Sequence, residues 1–226
     1  MKKILTKMAR YSFSRNNNKK LLEQNKVFLI VTEGTQTEPL YFEALRKDFR
    51  IPTLLVVVSP AKHSDPLHVV KEAILMLKGG YFDQYGRKYN KEDFDAVYVV
   101  MDIDSHETMS QAMAVIEAFN RNTRNKIKIH PIRSNPCFEL WYLLHFEEVF
   151  PCNKNQNEVI GILNKYVKSG YKKSENIYTQ LKENMEIAFS RSEKLRKLSH
   201  DAGDVFTEVD ILVKDIIANF VKKNSN

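Results

Sequence analysis

The chain has 226 residues, 43% apolar and 28% charged, with seven Gly and seven Pro, which excludes collagen-like and disordered classes and fits one α/β domain with additions. No window approaches 18 uncharged apolar residues, so no membrane span is expected, and the basic start lacks the apolar stretch of a secretion signal, which predicts a cytoplasmic protein. The formal charge of +7 resides in residues 1–26, where Lys2, Lys3, Lys7, Arg10, Arg15, Lys19, Lys20 and Lys26 face the single acid Glu23; the rest holds 27 residues of each sign.

Residues 1–25 read as a basic arm, either a solvated tail or a contact for nucleic-acid phosphates, and residues 1–20 are expected to be poorly ordered without nucleic acid. The apolar, β-branched run 26–32 predicts a strand buried on both faces, broken at Glu33-Gly34. A helix is expected next, with Thr37 as N-cap and Glu38 at the positive end of its dipole. A second strand is predicted over 54–58 and a helix over 67–77, where Val69, Val70, Ala73, Ile74 and Leu77 recur at helical spacing. Residues 79–93 read as a loop, long for a connector. A third strand covers 94–101 and ends at Asp102-Ile103-Asp104. A helix follows over roughly 106–120, and then a fourth strand over 127–132, with Pro131 placing its end near an edge.

This alternation predicts an α/β fold with a mainly parallel four-stranded sheet flanked by helices. The expected organisation is an arm (1–25), an α/β core (26–135) and a helical C-terminal extension (136–226) packed on the core. Helices are expected there over 137–147, 156–168, 175–198 and 205–221. Cys137 and Cys152 show neither CxxC nor zinc spacing and read as reduced thiols.

Sites in open parallel sheets form outside the carboxyl ends of the strands. Glu33 ends the first predicted strand, and Asp102 and Asp104 share a face at the end of the third. An acid after a strand is commonly only a cap or turn residue. Three carboxylates brought together without a cation repel one another, so the combination points to a Mg²⁺ site.

A Glu after the first strand with Asp-x-Asp after the third is similar to the Toprim pattern of topoisomerases, primases and OLD-type nucleases. More specifically, the chain resembles the RloB-like family of Toprim-related proteins found near bacterial restriction and abortive-infection genes. The residues that carry the likeness are VTEGTQTEPLYFEAL (31–45), MDIDSH (101–106), SNPCFELWYLLHF (134–146) and, more loosely, DVFTEVDILVKDI (204–216). The resemblance implies Glu33 as general acid or base and Asp102 and Asp104 as holders of Mg²⁺, with Mn²⁺ as a substitute. Glu38 and His106 are further catalytic candidates; a helix-terminus charge and a capping or surface histidine are the plainer readings.

Glu139, in an almost wholly apolar helix, needs a partner such as Arg133 or the metal site itself, because a lone buried carboxylate is costly. Ser134 and Asn135 read as polar groups toward the site or as caps for that helix. Phe138, Trp141, Tyr142 and Phe146 read as core rather than as a base-stacking platform. Arg121, Arg124, Lys126, Lys128 and Arg133 form a second basic stretch, either a solvated edge or a phosphate track toward the acids.

No P-loop, GxSxG or HExxH motif is present, which excludes the corresponding ATPase, hydrolase and protease classes. The expected function is a Mg²⁺-dependent nuclease, or related phosphoryl-transfer enzyme, acting on DNA or RNA in bacterial defence. A partner protein encoded nearby is a further expectation. The rival expectation is a non-catalytic nucleic-acid-binding or assembly module.

Overall fold

The computed structural model describes residues 26–62, 65–103, 108–122, 124–152, 154–168, 170–200 and 204–220. The expectations for arm residues 1–25, Asp104 and His106 lie outside them. Among the described residues no helix is long and apolar enough to cross a membrane.

The first half builds the sheet. Strand β1 (Phe28–Thr32) leads into α1 (Thr37–Asp48), then β2 (Val56–Pro60), α2 (Pro66–Gly79), the hairpin strands β3 (Tyr81–Phe82) and β4 (Lys88–Tyr89), β5 (Ala96–Asp102), α3 (Met109–Arg121) and β6 (Ile129–Asn135). The rest comprises α4 (Glu139–Leu144), α5 (Gln156–Leu163), α6 (Tyr178–Leu181), α7 (Met185–Leu198), β7 (Phe206–Thr207) and α8 (Val209–Phe220). The main sheet runs β2-β1-β5-β6-β7, with parallel pairs except for the antiparallel β6–β7 edge.

The mainly parallel sheet and its flanking helices are as the sequence predicts; the strand count is five rather than four. The added strand, β7, is two residues long and comes from the C-terminal part. Its Thr207 lies opposite Ser134, and their hydroxyls are 2.9 Å apart. Strand β6 starts later than expected and runs on to Asn135. Pro131 is tolerated because β7 runs beside Ser134 and Asn135 only, so Pro131 interrupts no ladder on that side.

The connector 79–93 folds into the β3–β4 hairpin, which is tied to the turn before β2: Arg87 donates to the Thr53 hydroxyl at 2.6 Å. Thr37 is the first residue of α1 rather than its cap, because its hydroxyl is engaged with that of Tyr171 at 3.1 Å. The stretch 175–198 is two helices joined by a tight turn. Tyr178 and Lys182 both bind Asp48 of α1, whereas α7 turns away toward α8.

All of β1 is buried, and α2 and α3 pack side by side over the sheet. Phe138, Trp141 and Tyr142 are buried in the core around Tyr41, the first two edge-on and Tyr142 tilted, while the partly exposed Phe146 stacks on Tyr166. Helix α8 closes over the sheet through Phe220, whose ring meets Phe28 at 5.1 Å.

One buried charge secures the C-terminal helices. Asp210, fully buried at the start of α8, accepts from Arg196 and Ser192 of α7 and from Lys214. Arg196 also donates to the Thr207 carbonyl, so this cluster joins α7, α8 and β7. Removing one partner strands a charge in low dielectric. Arg196→Met is therefore expected to cost about 2–4 kcal/mol in urea unfolding. A cost under about 0.5 kcal/mol would mean that Lys214 alone suffices.

Candidate functional site

Strand β1 connects to β2 on one side, and β5 connects to β6 on the other. The boundary between β1 and β5 is therefore the switch point of the sheet, where ligand crevices form. Glu33 follows β1, and its N–H continues the ladder by donating to the Val100 carbonyl at 3.1 Å. Its carboxylate then accepts the backbone N–H of Asp102, the last residue of β5, at 3.0 Å. The two acids are thereby held at adjacent strand ends.

Two more carboxyl groups reach the same place. Glu38, in the first turn of α1, folds back to accept the Gly34 N–H at 3.0 Å. Glu139, the first residue of α4, accepts from the Tyr171 hydroxyl at 2.9 Å, with Lys173 Nζ 3.7 Å away. Glu33, Glu38, Asp102 and Glu139, with Lys62 and Lys173, line one cavity of about 540 Å³. Glu38 and Glu139 are 5% and 2% exposed, so water screens them little.

Burial and like charge push in one direction here. Asp102 is held well above the usual aspartate range, first by desolvation and then by the charges of Glu38, Glu139 and Glu33. Glu38 is raised by burial, with Glu139 adding to it against the Gly34 hydrogen bond. The Cys137 thiol beneath is pushed up by burial and by Glu139 and Asp102. Such a site is short of positive charge.

The donor set is carboxylate oxygen, which suits a hard divalent cation such as Mg²⁺ or Mn²⁺. Among the described residues no three His, Cys, Asp or Glu side chains stand at the spacing of a formed metal site. Glu33 and Asp102 form the adjacent pair there; Asp104, the third expected ligand, and His106 fall outside the described residues.

The other sequence candidates lie elsewhere. Arg133 does not partner Glu139: its guanidinium and backbone N–H all bind Glu208, which pins β6 to the start of α8. Ser134 and Asn135 do not cap α4. Ser134 pairs with Thr207, and Asn135 donates to the Asp204 carbonyl at 2.7 Å. Arg124, Lys126 and Lys128 precede β6, so they sit at the amino end of the strands, away from Glu33 and Asp102. Lys128 donates to the carbonyl of Asn120 at the end of α3, and Arg121 pairs with Glu117. The structure does not bring this basic stretch to the cavity.

Tyr171, Lys173 and Lys62 are the site residues that sequence reasoning missed. They lie in short polar loops after Gly170 and after β2, with no periodicity to single them out.

Two outcomes follow from the electrostatics. A carboxyl group whose pKa is raised on folding favours the folded state below its unfolded value, about 3.9, and loses that contribution as pH rises through the folded value. Cation-free protein is therefore expected to lose stability above pH 4 on account of Asp102. Asp102→Asn removes that slope and should melt about 2–4 °C higher at pH 7.5 in EDTA, read by calorimetry. An unchanged slope would show that Asp102 carries no such strain.

Gly34 has a steric role as well. A Cβ there would lie 2.2 Å from Glu38 Oε2. Gly34→Ala is expected to expel the Glu38 carboxylate while the fold persists. On any activity, Gly34→Ala, Glu38→Ala and the double variant should then have equal effects; additive losses would separate the two residues.

A search of curated proteins and a search of solved structures each found no match to the chain. A family model described as RloB-like protein matches residues 28–216, a span that holds β1, the four carboxyl groups, Tyr171, Lys173 and all but the last turn of α8. On that extent the chain belongs to the RloB-like family.

Proposed function

We propose that this chain is a Mg²⁺-dependent nuclease of Toprim type, or a related phosphoryl-transfer enzyme, acting on nucleic acid in bacterial anti-phage defence. The observation that carries the reading is the gathering of Glu33, Glu38, Asp102 and Glu139, from four separate segments, at one cavity on the switch point of the sheet. The defence setting rests on the family alone, RloB-like proteins being found near bacterial restriction and abortive-infection genes.

On this reading Glu33 and Asp102, with Asp104, hold the cation. When bound, it supplies the positive charge that offsets a phosphoryl transition state. Glu33 is aimed by the Asp102 N–H and serves as the acid or base. Glu38, with its raised pKa, retains a proton closer to neutrality than an exposed glutamate and is a second acid candidate. The basic arm holds the polymer backbone without reading sequence.

The test is cleavage of labelled single-stranded DNA, duplex DNA and RNA in Mg²⁺ or Mn²⁺, with melting followed in parallel. Glu33→Gln and Asp102→Asn each keep shape but remove a ligand charge. Each is expected to reduce cleavage at least a hundredfold, roughly the scale of losing one transition-state electrostatic contact, and to shrink the Mg²⁺-induced rise in melting temperature. If the wild type cleaves nothing and gains no stability from metal, alone or co-expressed with its neighbouring genes, the non-catalytic nucleic-acid-binding module becomes the better reading. Removal of residues 1–25 should flatten the salt dependence of nucleic-acid binding; an unchanged slope would discharge the arm from that role.

A further inference from the structure

The segment after α5 adds Lys173 to the lining of the cavity. Asn164 ends that helix, and its side chain accepts the Tyr171 N–H at 2.6 Å. Gly170, at φ 74°, supplies the left-handed turn that brings the chain back. Tyr171 thus stands behind the lining, with its ring against Tyr142 and its hydroxyl on Glu139, and Lys173, two residues later, lines the cavity.

The hydroxyl chemistry has a direction. Glu139 can only accept as a carboxylate, so Tyr171 donates to it. That spends the single Tyr171 proton, so the contact with Thr37 at 3.1 Å must be donated by the Thr37 hydroxyl. The Thr37 carbonyl accepts from Tyr142 at 3.2 Å. Thr37, Tyr171 and Glu139 form a one-way donor chain tying α1 and α4 to this loop. Lys173 differs in kind: its side chain is 52% exposed, and its ammonium stands 3.7 Å from Glu139 at the cavity wall. It is too distant for a tight pair with Glu139, and it is positioned to meet an anion that enters.

We propose that Tyr171 is a positioning residue that fixes the Glu139 carboxylate, and that Lys173 is the cation that meets a substrate phosphate in the cavity. The proposal rests on the phosphoryl-transfer reading and adds two residues and their division of labour to it. Tyr171 acts through Glu139 and touches no substrate. Lys173 acts on the substrate and, being beside the acids, also competes with a divalent cation for them.

The experiment uses the full chain with Tyr171→Phe, Lys173→Gln, Lys173→Arg, Glu139→Gln and the Tyr171→Phe/Glu139→Gln pair. Lys168→Gln, an exposed lysine of the same segment, serves as control. The readouts are kcat and KM on the oligonucleotide the wild type cleaves, and the shift of melting temperature with Mg²⁺ alone. Lys173→Gln is expected to raise KM about tenfold, the scale of one lost charge-assisted contact, and to enlarge the Mg²⁺-induced shift. Lys173→Arg should restore KM, and Lys168→Gln should change neither. Tyr171→Phe should lower kcat with KM held, and the double variant should be no worse than Glu139→Gln.

A Lys173→Gln profile matching that of Lys168→Gln would overturn the role of Lys173. Additive losses from Tyr171→Phe and Glu139→Gln would overturn that of Tyr171. In both cases an active wild type leaves the phosphoryl-transfer reading standing. A wild type that neither cleaves nor responds to Mg²⁺ would remove that reading and this proposal together.

Discussion

A single hydrogen bond determines where the chemistry of this fold can sit. The backbone N–H of Asp102 points along the sheet, past the end of β1, and the Glu33 carboxylate closes the gap at 3.0 Å. Because β1 and β5 are paired in register up to Thr32 and Val100, a shift of one residue would turn Asp102 to the other face and break the contact. The ladder thus sets the geometry of the acids before any ligand arrives. Gly34 is the next constraint, since its lack of a side chain lets Glu38 turn back onto the same spot. What the fold organises here is burial and repulsion together: carboxyl groups are held close in a weakly screened cavity, and desolvation first, then the neighbouring charges, raise the pKa of Asp102.

The C-terminal part contributes to both the frame and the site. Through β7 it finishes the sheet, with Arg133 and Glu208 as the bidentate tie, through Tyr171 it holds Glu139, and through Lys173 it lines the cavity. The Asp210–Arg196 cluster holds α7, α8 and β7 as one body. Glu139 is where the two contributions meet, since α4 follows directly on β6 while its hydrogen-bond donor comes from beyond α5.

What the sequence disclosed follows from how each signal is encoded. The runs at 26–32 and 94–101 are buried on both faces, so their β-branched character alone marks them, and the acids that end them stand out against it. Elements defined by a partner were invisible. Phe206–Thr207 is a strand only because Ser134 and Asn135 lie opposite, and no two-residue pattern announces that. Likewise Glu139 could be seen to need a partner, but that Arg133 takes Glu208 instead depends on which way β6 faces. Tyr171 and Lys173 stand in a polar loop where every residue type is ordinary, and only the turn at Gly170 gives them a direction.

The late position of β7 has a consequence for the order in which the protein is made. Ribosomes deliver the chain from its amino end, and domains fold as their parts emerge. When residues up to 135 have appeared, β1, β2, β5 and β6 can assemble and Glu33 and Asp102 can meet, but β6 still presents an open edge. The cavity at that stage lacks Glu139 and Lys173. The edge is closed only when Thr207 is available, well after β6 has been made. A prematurely terminated product would therefore carry the central pair of acids on an incomplete, adhesive sheet, and on the proposed reading it would be fit for clearance and not for catalysis.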